Sequence, residues 1–190
     1  MPETILVIPC FNEAKRLRID TFSEFLRRES ETDLLFVDDG SHDETRDILE
    51  SLPADSGDRI VVHGLPTNQG KAEAVRAGMN LAFERGARFA GYFDADLATP
   101  LEESKRLRSV LEERPNVEMV FGSRVQLLGR AIERRPIRHY LGRVFATVVS
   151  ETLDLAVYDT QCGAKLFRSG PEIRRRFESP FISNWVFDVE

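Results

Sequence analysis

Asp94 and Asp96 stand one residue apart, where the apolar run Phe89-Ala90-Gly91-Tyr92-Phe93 gives way to a polar segment. Two carboxylates at the point where a strand opens into a loop suit a hard divalent cation, and such a cation often holds a diphosphate. The same pair could instead cap a helix starting near Pro100. Four more polar clusters bear on the choice. They are Pro9-Cys10-Phe11-Asn12-Glu13, Asp38-Asp39-Gly40-Ser41, Asn68-Gln69-Gly70-Lys71 and Gly122-Ser123-Arg124, and each follows an apolar run.

Those runs are Thr4–Ile8, Asp33–Val37, Arg59–His63, Phe89–Phe93 and Val117–Phe121. Their apolar character is continuous rather than alternating, which suits strands covered on both faces in a parallel sheet. Helical patterns separate them. Ala14–Arg28 puts Leu17, Phe22, Phe25 and Leu26 on one side, and Asp43–Leu52 has Ser41 or Asp43 as N-cap. Lys71–Arg85 turns Val75, Met79, Ala82 and Phe83 inward and stops at Gly86, and Leu101–Glu113 closes at Pro115. Strands alternating with helices of this length predict an open, mostly parallel α/β sheet flanked by helices. Such sheets bind ligands outside the carboxyl ends of their strands. All five polar clusters fall at those ends, so one shared site for a nucleotide-type ligand is the economical reading.

Composition narrows the class. With 190 residues and 42% hydrophobic content, the chain suits one well-buried domain. A formal net charge of −6 argues against a general nucleic-acid binder. Cys10 and Cys162 fit no disulfide framework or zinc motif and read as two free, buried thiols suited to a reducing cytosol. The first ten residues lack a signal-peptide pattern, and no run of about eighteen apolar residues marks a membrane span. Trp185–Glu190 looks like the middle of an element, so the chain is expected to continue beyond Glu190.

Neither G-x-G-x-x-G nor G-x-x-x-x-G-K-[ST] occurs, which removes the main support for a dinucleotide oxidoreductase or a P-loop NTPase. In order and spacing, the five clusters resemble those of family 2 glycosyltransferases with a GT-A fold. Tyr158-Asp159-Thr160-Gln161-Cys162-Gly163-Ala164-Lys165-Leu166-Phe167 and Trp185–Glu190 narrow the resemblance to the polyprenyl-phosphate sugar transferases. Within them the chain looks closest to the dolichyl-phosphate glucosyltransferases, with the mannosyltransferases next. The resemblance covers essentially the whole chain. It implies a single GT-A domain in which residues 1–124 bind a nucleotide sugar and 125–190 form the acceptor and membrane-interface part.

The resemblance also implies roles. Pro9, Asn12 and Glu13 match the loop that cradles the nucleotide, and Asp39 an acid touching base or ribose, with Asp38 holding the loop. Lys71 lies in a donor-side segment. Asp94, with Ala95 beside it, is expected near the ribose and diphosphate, and Asp96 is expected to bind Mg²⁺ or Mn²⁺. Many mannosyl relatives carry glutamine where this chain has Ala98, so the metal shell and the preference for GDP-mannose are expected to shift.

Breaking a sugar–diphosphate bond makes an oxocarbenium-like sugar and an increasingly anionic leaving group, which a divalent ion and arginines stabilise. A lipid phosphate acceptor is already anionic and needs cations to hold it more than a base. Arg124 is the candidate for the phosphates, Lys165 or Arg168 for the acceptor or a closing loop, and Asp159 for positioning. In-line attack inverts the anomeric centre. Between Val125 and Leu153, Arg130, Arg134, Arg135, Arg138 and Arg143 interleave with apolar residues. Such a stretch is either a solvated surface helix pair or a headgroup-level surface for an anionic lipid, and the resemblance favours the lipid.

The expectation is an inverting, metal-dependent enzyme that moves glucose from UDP-glucose to a polyprenyl or dolichyl phosphate, peripheral on the cytoplasmic face of a membrane. The alternatives are a GDP-mannose-dependent relative, a family 2 enzyme with a soluble acceptor, and a nucleotide-sugar-binding module without catalysis.

Overall fold

A computed structural model describes residues 2–52, 57–122, 162–183 and 187. Six strands form one sheet: β1 (Thr4–Cys10), β2 (Thr32–Asp38), β3 (Ile60–Gly64), β4 (Phe89–Phe93), β5 (Met119–Phe121) and β6 (Ala164–Arg168). Their spatial order is β3-β2-β1-β4-β6-β5. The first four are mutually parallel, and β6 runs antiparallel to both β4 and β5. The described helices are α1 (Ile19–Arg28), α2 (Thr45–Ser51), α3 (Lys71–Glu84), α4 (Glu103–Glu113) and α5 (Pro171–Glu178).

Alternation along each strand feeds two cores. Leu6 and Ile8 of β1 join Leu34 and Phe36 of β2 under Phe22 of α1, Leu49 of α2 and Leu111 of α4. On the opposite face Ile5, Val7, Leu35 and Val37 pack with Val75, Met79 and Phe83 of α3 and Phe177 of α5. Both faces are therefore covered, which explains why the strands read as continuous apolar runs.

Local chemistry sets the helix ends. Gly86 has φ 78° and donates its N–H to the Phe83 carbonyl, while Ala87 N–H reaches Ala82, so α3 closes in a Schellman turn. Gly78 lies in the middle of that helix for a packing reason. A Cβ there would lie 2.3 Å from Val7 Cγ1 and 2.9 Å from Val37 Cγ2, so its absence lets α3 approach β1 and β2 closely.

Several expected boundaries move. The segment expected to begin a helix at Ala14 starts it only at Ile19, because Glu13 N–H goes to Thr45 Oγ1 and Ala14 N–H to the Asp43 carboxylate. Residues 13–17 instead form a separate turn, with Arg16 and Leu17 both donating to the Glu13 carbonyl. Helix α2 starts at Thr45, whose N–H bonds the Asp43 carboxylate, while the Ser41 hydroxyl accepts Asn12 N–H. The fifth apolar run shortens to Met119–Phe121 and lies at the sheet edge, separated from β4 by β6.

Arg168 is a correction. It pairs with Phe89, at the amino end of β4, and its guanidinium donates to the carbonyl of Leu111 in the last turn of α4 and to that of Val117 in the connection to β5. It caps that helix instead of reaching an acceptor or a closing loop.

Replacing Gly78 with Val is expected to destabilise the fold by about 1–3 kcal/mol through overpacking against Val7 and Val37. The check is a lower midpoint of urea unfolding with an unchanged m-value. An unchanged midpoint would show that α3 has room to spare.

Candidate functional site

Strands β2 and β3 lie on one side of β1 and β4 on the other, so the chain reverses its direction of travel between β1 and β4. At such a reversal the loops leaving the two central strands diverge and open a crevice at the carboxyl rim. A cleft of about 320 Å³ lies there, with Pro9, Phe11 and Glu13 from the first loop and Asp94, Ala95 and Asp96 from the fourth among its lining residues. Asp39, Asn68, Gly70 and Lys71 also line it.

Backbone-to-side-chain bonds stitch the rim. Asn12 has φ 53°, a left-handed conformation that asparagine tolerates better than most residues. Its side-chain Oδ1 accepts the His42 N–H at 2.9 Å, and its own N–H donates to Ser41 Oγ at 2.9 Å. The Phe11 ring lies edge-on to His42, with centroids 6.2 Å apart. The next tie is stronger. Asp39 is 2% exposed, and its two carboxylate oxygens accept the N–H groups of Gln69 at 2.8 Å and Gly70 at 2.9 Å. Burial pushes the Asp39 carboxyl up from its ordinary value, the two amide donors pull it down, and Asp38 and Glu73 add to the rise. Asp38 accepts Ser41 N–H at 3.2 Å and lies 3.8 Å from Arg46. Both acids hold loops, and Asp39 does so while also lining the cleft.

Gly70, with φ 93°, hands the held loop into α3, whose first residue is Lys71. Lys71 Nζ lies 2.6 Å from Asp94 Oδ1, and both side chains remain partly exposed at 43% and 30%. Asp94 N–H donates to the Gly163 carbonyl at 2.8 Å. Asp96 is exposed, and one of its oxygens accepts Ala98 N–H at 2.9 Å. Leu97 has φ 55° in the turn between them. Helix α4 has Glu102 at its N-cap position and no side-chain cap, so neither aspartate caps it. The helix-cap reading of the pair is thereby removed.

Glu13 shares one carboxylate oxygen with Arg16 at 2.6 Å, while the other is buried and has no hydrogen-bond partner among the described residues. Arg16 lines the cleft as well. The Cys10 thiol, also in the lining, is pushed upward by burial, with Glu13 and Asp38 acting the same way, so it stays protonated. Lys165 is 3% exposed, and its ammonium lies 5.8 Å from the Tyr92 ring centre and 6.0 Å from that of Phe121. Among the described residues, the cleft lining does not include it. Arg124, Arg134, Arg135, Arg138 and Asp159 lie outside the described residues.

Pro9, Glu13, Asp39, Lys71, Asp94, Ala95 and Asp96 thus line one cleft, with Asn12 bracing its wall. Phe11, Arg16, Asn68 and Gly163 were not assigned roles from the sequence. Phe11 and Asn68 stand in the rim clusters and Gly163 in the 158–167 motif, whereas the local signal for Arg16 is its place three residues after Glu13. Among the described residues, no cluster of three or more histidines, cysteines or acids has the arrangement of a metal centre.

The family model described as Glycosyl transferase family 2 matches residues 5–172. A dolichyl-phosphate beta-glucosyltransferase of Trichomonas vaginalis is 32% identical over 98% of this chain and 58% of its own. The dolichyl-phosphate beta-glucosyltransferase of Saccharomyces cerevisiae is 29% identical over 97% of this chain and 60% of its own. The chain therefore spans less than two thirds of the length of these relatives. Among solved structures, glucosyl-3-phosphoglycerate synthase from Mycobacterium tuberculosis, bound to Mn²⁺, UDP and glucosyl-3-phosphoglycerate, superposes with a TM-score of 0.64. It is 18% identical, and the match covers 99% of this chain and 63% of that one. The shared fold is GT-A.

Asn offers one carbonyl oxygen where Asp39 offers two, so Asp39→Asn should leave one of the Gln69 and Gly70 amides without its acceptor. Losing a bond to a charged acceptor costs about 1.5–3 kcal/mol, so hydrogen exchange at that amide is expected to accelerate about tenfold or more. Unchanged protection at both amides would show that the loop holds itself.

Proposed function

The chain belongs to glycosyl transferase family 2, and from that membership we propose that it transfers glucose from UDP-glucose to a polyprenyl phosphate with inversion at the anomeric carbon. The observation that carries this reading is the cleft at the β1/β4 reversal. There a lysine-paired carboxylate, Asp94, and an exposed one, Asp96, face a loop held by Asp39. The lipid-phosphate acceptor is supported by the two dolichyl-phosphate relatives.

On this reading, Phe11, Asn12 and Asp39 receive the nucleoside, and Lys71 and Asp94 meet the ribose and diphosphate. The donor set fits a divalent ion. Asp94 and Asp96 offer only hard oxygen ligands, and Mg²⁺ or Mn²⁺ is commonly held by one or two carboxylates together with substrate phosphates. Ala98 N–H occupies one Asp96 oxygen, which leaves the other for the metal. Bound there, the ion would offset the negative charge that builds on the departing nucleoside diphosphate. Lys71 adds a protein cation beside the same phosphates, and Arg124 is assigned a second. The acceptor phosphate is anionic at neutral pH, so its attack on the anomeric carbon needs alignment and charge screening more than proton removal. Lys165 is assigned to that acceptor side, with Asp159 positioning it.

Among the described residues, no helix is long and apolar enough to cross a membrane. We place the enzyme peripherally on the cytoplasmic face, with Arg134, Arg135 and Arg138 at the headgroups and residues 125–190 as the acceptor part. Alanine at all three arginines is expected to reduce sedimentation with anionic liposomes and transfer to lipid phosphate together. Full liposome binding by that variant would remove the membrane-surface assignment.

Calorimetric titration decides the donor. UDP-glucose should bind more tightly than GDP-mannose, and Mn²⁺ should strengthen binding in the wild type but not in Asp96→Asn. UDP release should require added polyprenyl phosphate. Tighter GDP-mannose binding would transfer the assignment to a mannosyl donor, and nucleotide binding without turnover on lipid phosphate would leave a binding module.

A further inference from the structure

The antiparallel pairing of β4 with β6 matches Phe89 with Arg168 and ends, by strand assignment, at Phe93 with Ala164. The same register continues one step further. Asp94 N–H donates to Gly163 O at 2.8 Å, which makes Asp94 and Gly163 cross-strand partners whose side-chain positions fall on the same face. A Cβ built on Gly163 would lie 1.8 Å from Asp94 Oδ2, 2.2 Å from its Cγ and 2.8 Å from Oδ1. The Asp94 carboxylate therefore fills the space that a side chain at residue 163 would take.

Backbone conformation gives no competing reason for glycine here. Among the described residues the glycines with positive φ are Gly40, Gly70 and Gly86, and Gly163 is not one of them. What residue 163 supplies is room, and one side chain uses it. That side chain is held at its other oxygen by Lys71 Nζ, 2.6 Å from Oδ1. Asp94 is thus fixed between the first residue of α3 and a bare Cα on the strand that enters from the opposite direction.

We propose that Gly163 is a positioning residue for the donor: its missing side chain sets the orientation in which the Asp94 carboxylate meets Lys71 and faces the cleft. This rests on the sugar-nucleotide reading of that cleft, and it extends the set of donor-determining residues to a segment otherwise assigned to the acceptor. A methyl group at residue 163 must push the carboxylate aside, because the β4–β6 ladder holds both backbones in place.

The test is a cycle of Gly163→Ala, Asp94→Ala and the double variant, with UDP-glucose affinity measured in the presence of Mn²⁺ and unfolding midpoints recorded alongside. Gly163→Ala is expected to weaken binding about tenfold, and Asp94→Ala at least as much. The double variant should match Asp94→Ala alone, because the methyl then has no carboxylate to displace. Affinity within twofold of wild type for Gly163→Ala, or fully additive losses in the double variant, would overturn the proposal. If Gly163→Ala does not fold, the double variant still should, and its failure to fold counts against the idea. A crystal structure of Gly163→Ala separates this inference from the donor assignment. Displacement of Asp94 from Lys71 supports the positioning role even if wild type binds no nucleotide sugar, and an unmoved pair refutes it whatever the protein binds.

Discussion

One buried carboxylate sets the geometry of the rim. Asp39 accepts the Gln69 and Gly70 amides on its two oxygens, and that pair of hydrogen bonds between two loops decides where α3 begins. Where α3 begins decides where Lys71 stands, and Lys71 in turn meets Asp94. A carboxylate removed from water is costly unless donors replace the solvent. Here the donors are main-chain amides, which are stiff, so satisfying the charge also fixes the loop. Gly40 belongs to the same constraint. With φ 65° and no Cβ, it lets the Asp39 turn press against the Thr67–Asn68 peptide, where a side chain would come within 2.5 Å of the Thr67 carbonyl carbon.

The sheet makes such a rim possible. With both faces covered by helices, the loops at the strand ends are the part of the central strands left open to solvent. The reversal between β1 and β4 spreads two of these loops apart and leaves room for a ligand. Polar residues then cost little where they stand, because each finds a partner: Asn12 bonds His42 and Asp43 bonds Ala14 across two loops, and Asp38 bonds Ser41 within its own. The same bonds that satisfy these groups bring the chemistry-bearing side chains together. Stability and site geometry rest on a common set of contacts.

Much of this was legible in the sequence, because the relevant signals are local. Continuous apolar runs mark buried parallel strands, and the residues just after them mark the rim. The positions of Asn12, Asp39, Lys71, Asp94 and Asp96 along one edge follow from that rule. What escaped depends on pairings between distant segments. Strand β6 carries Lys165 and Arg168, whose charges break the apolar pattern, so residues 158–167 read as a motif and its place between β4 and β5 was hidden. Arg168 looked like a site cation because nothing in its neighbourhood names the carbonyls of α4. The true start of α1 depends on Thr45 and Asp43, about 30 residues away, taking the amides of Glu13 and Ala14. The division of labour between Asp38 and Asp39 likewise required the approach of the Asn68–Lys71 loop.

The reversed direction of β6 has an evolutionary corollary. Because it runs against its neighbours, the chain leaves the sheet after Gly122 and rejoins it at Cys162 on the same rim, with Gly122 N–H bonded to the Ala164 carbonyl. The two ends of the intervening segment are thus anchored side by side, and its length can change without shifting the register of any described strand. The framework thus works like a chassis with one fixed socket. A lineage could lengthen, shorten or exchange the piece between those two anchors while inheriting the described strands unaltered.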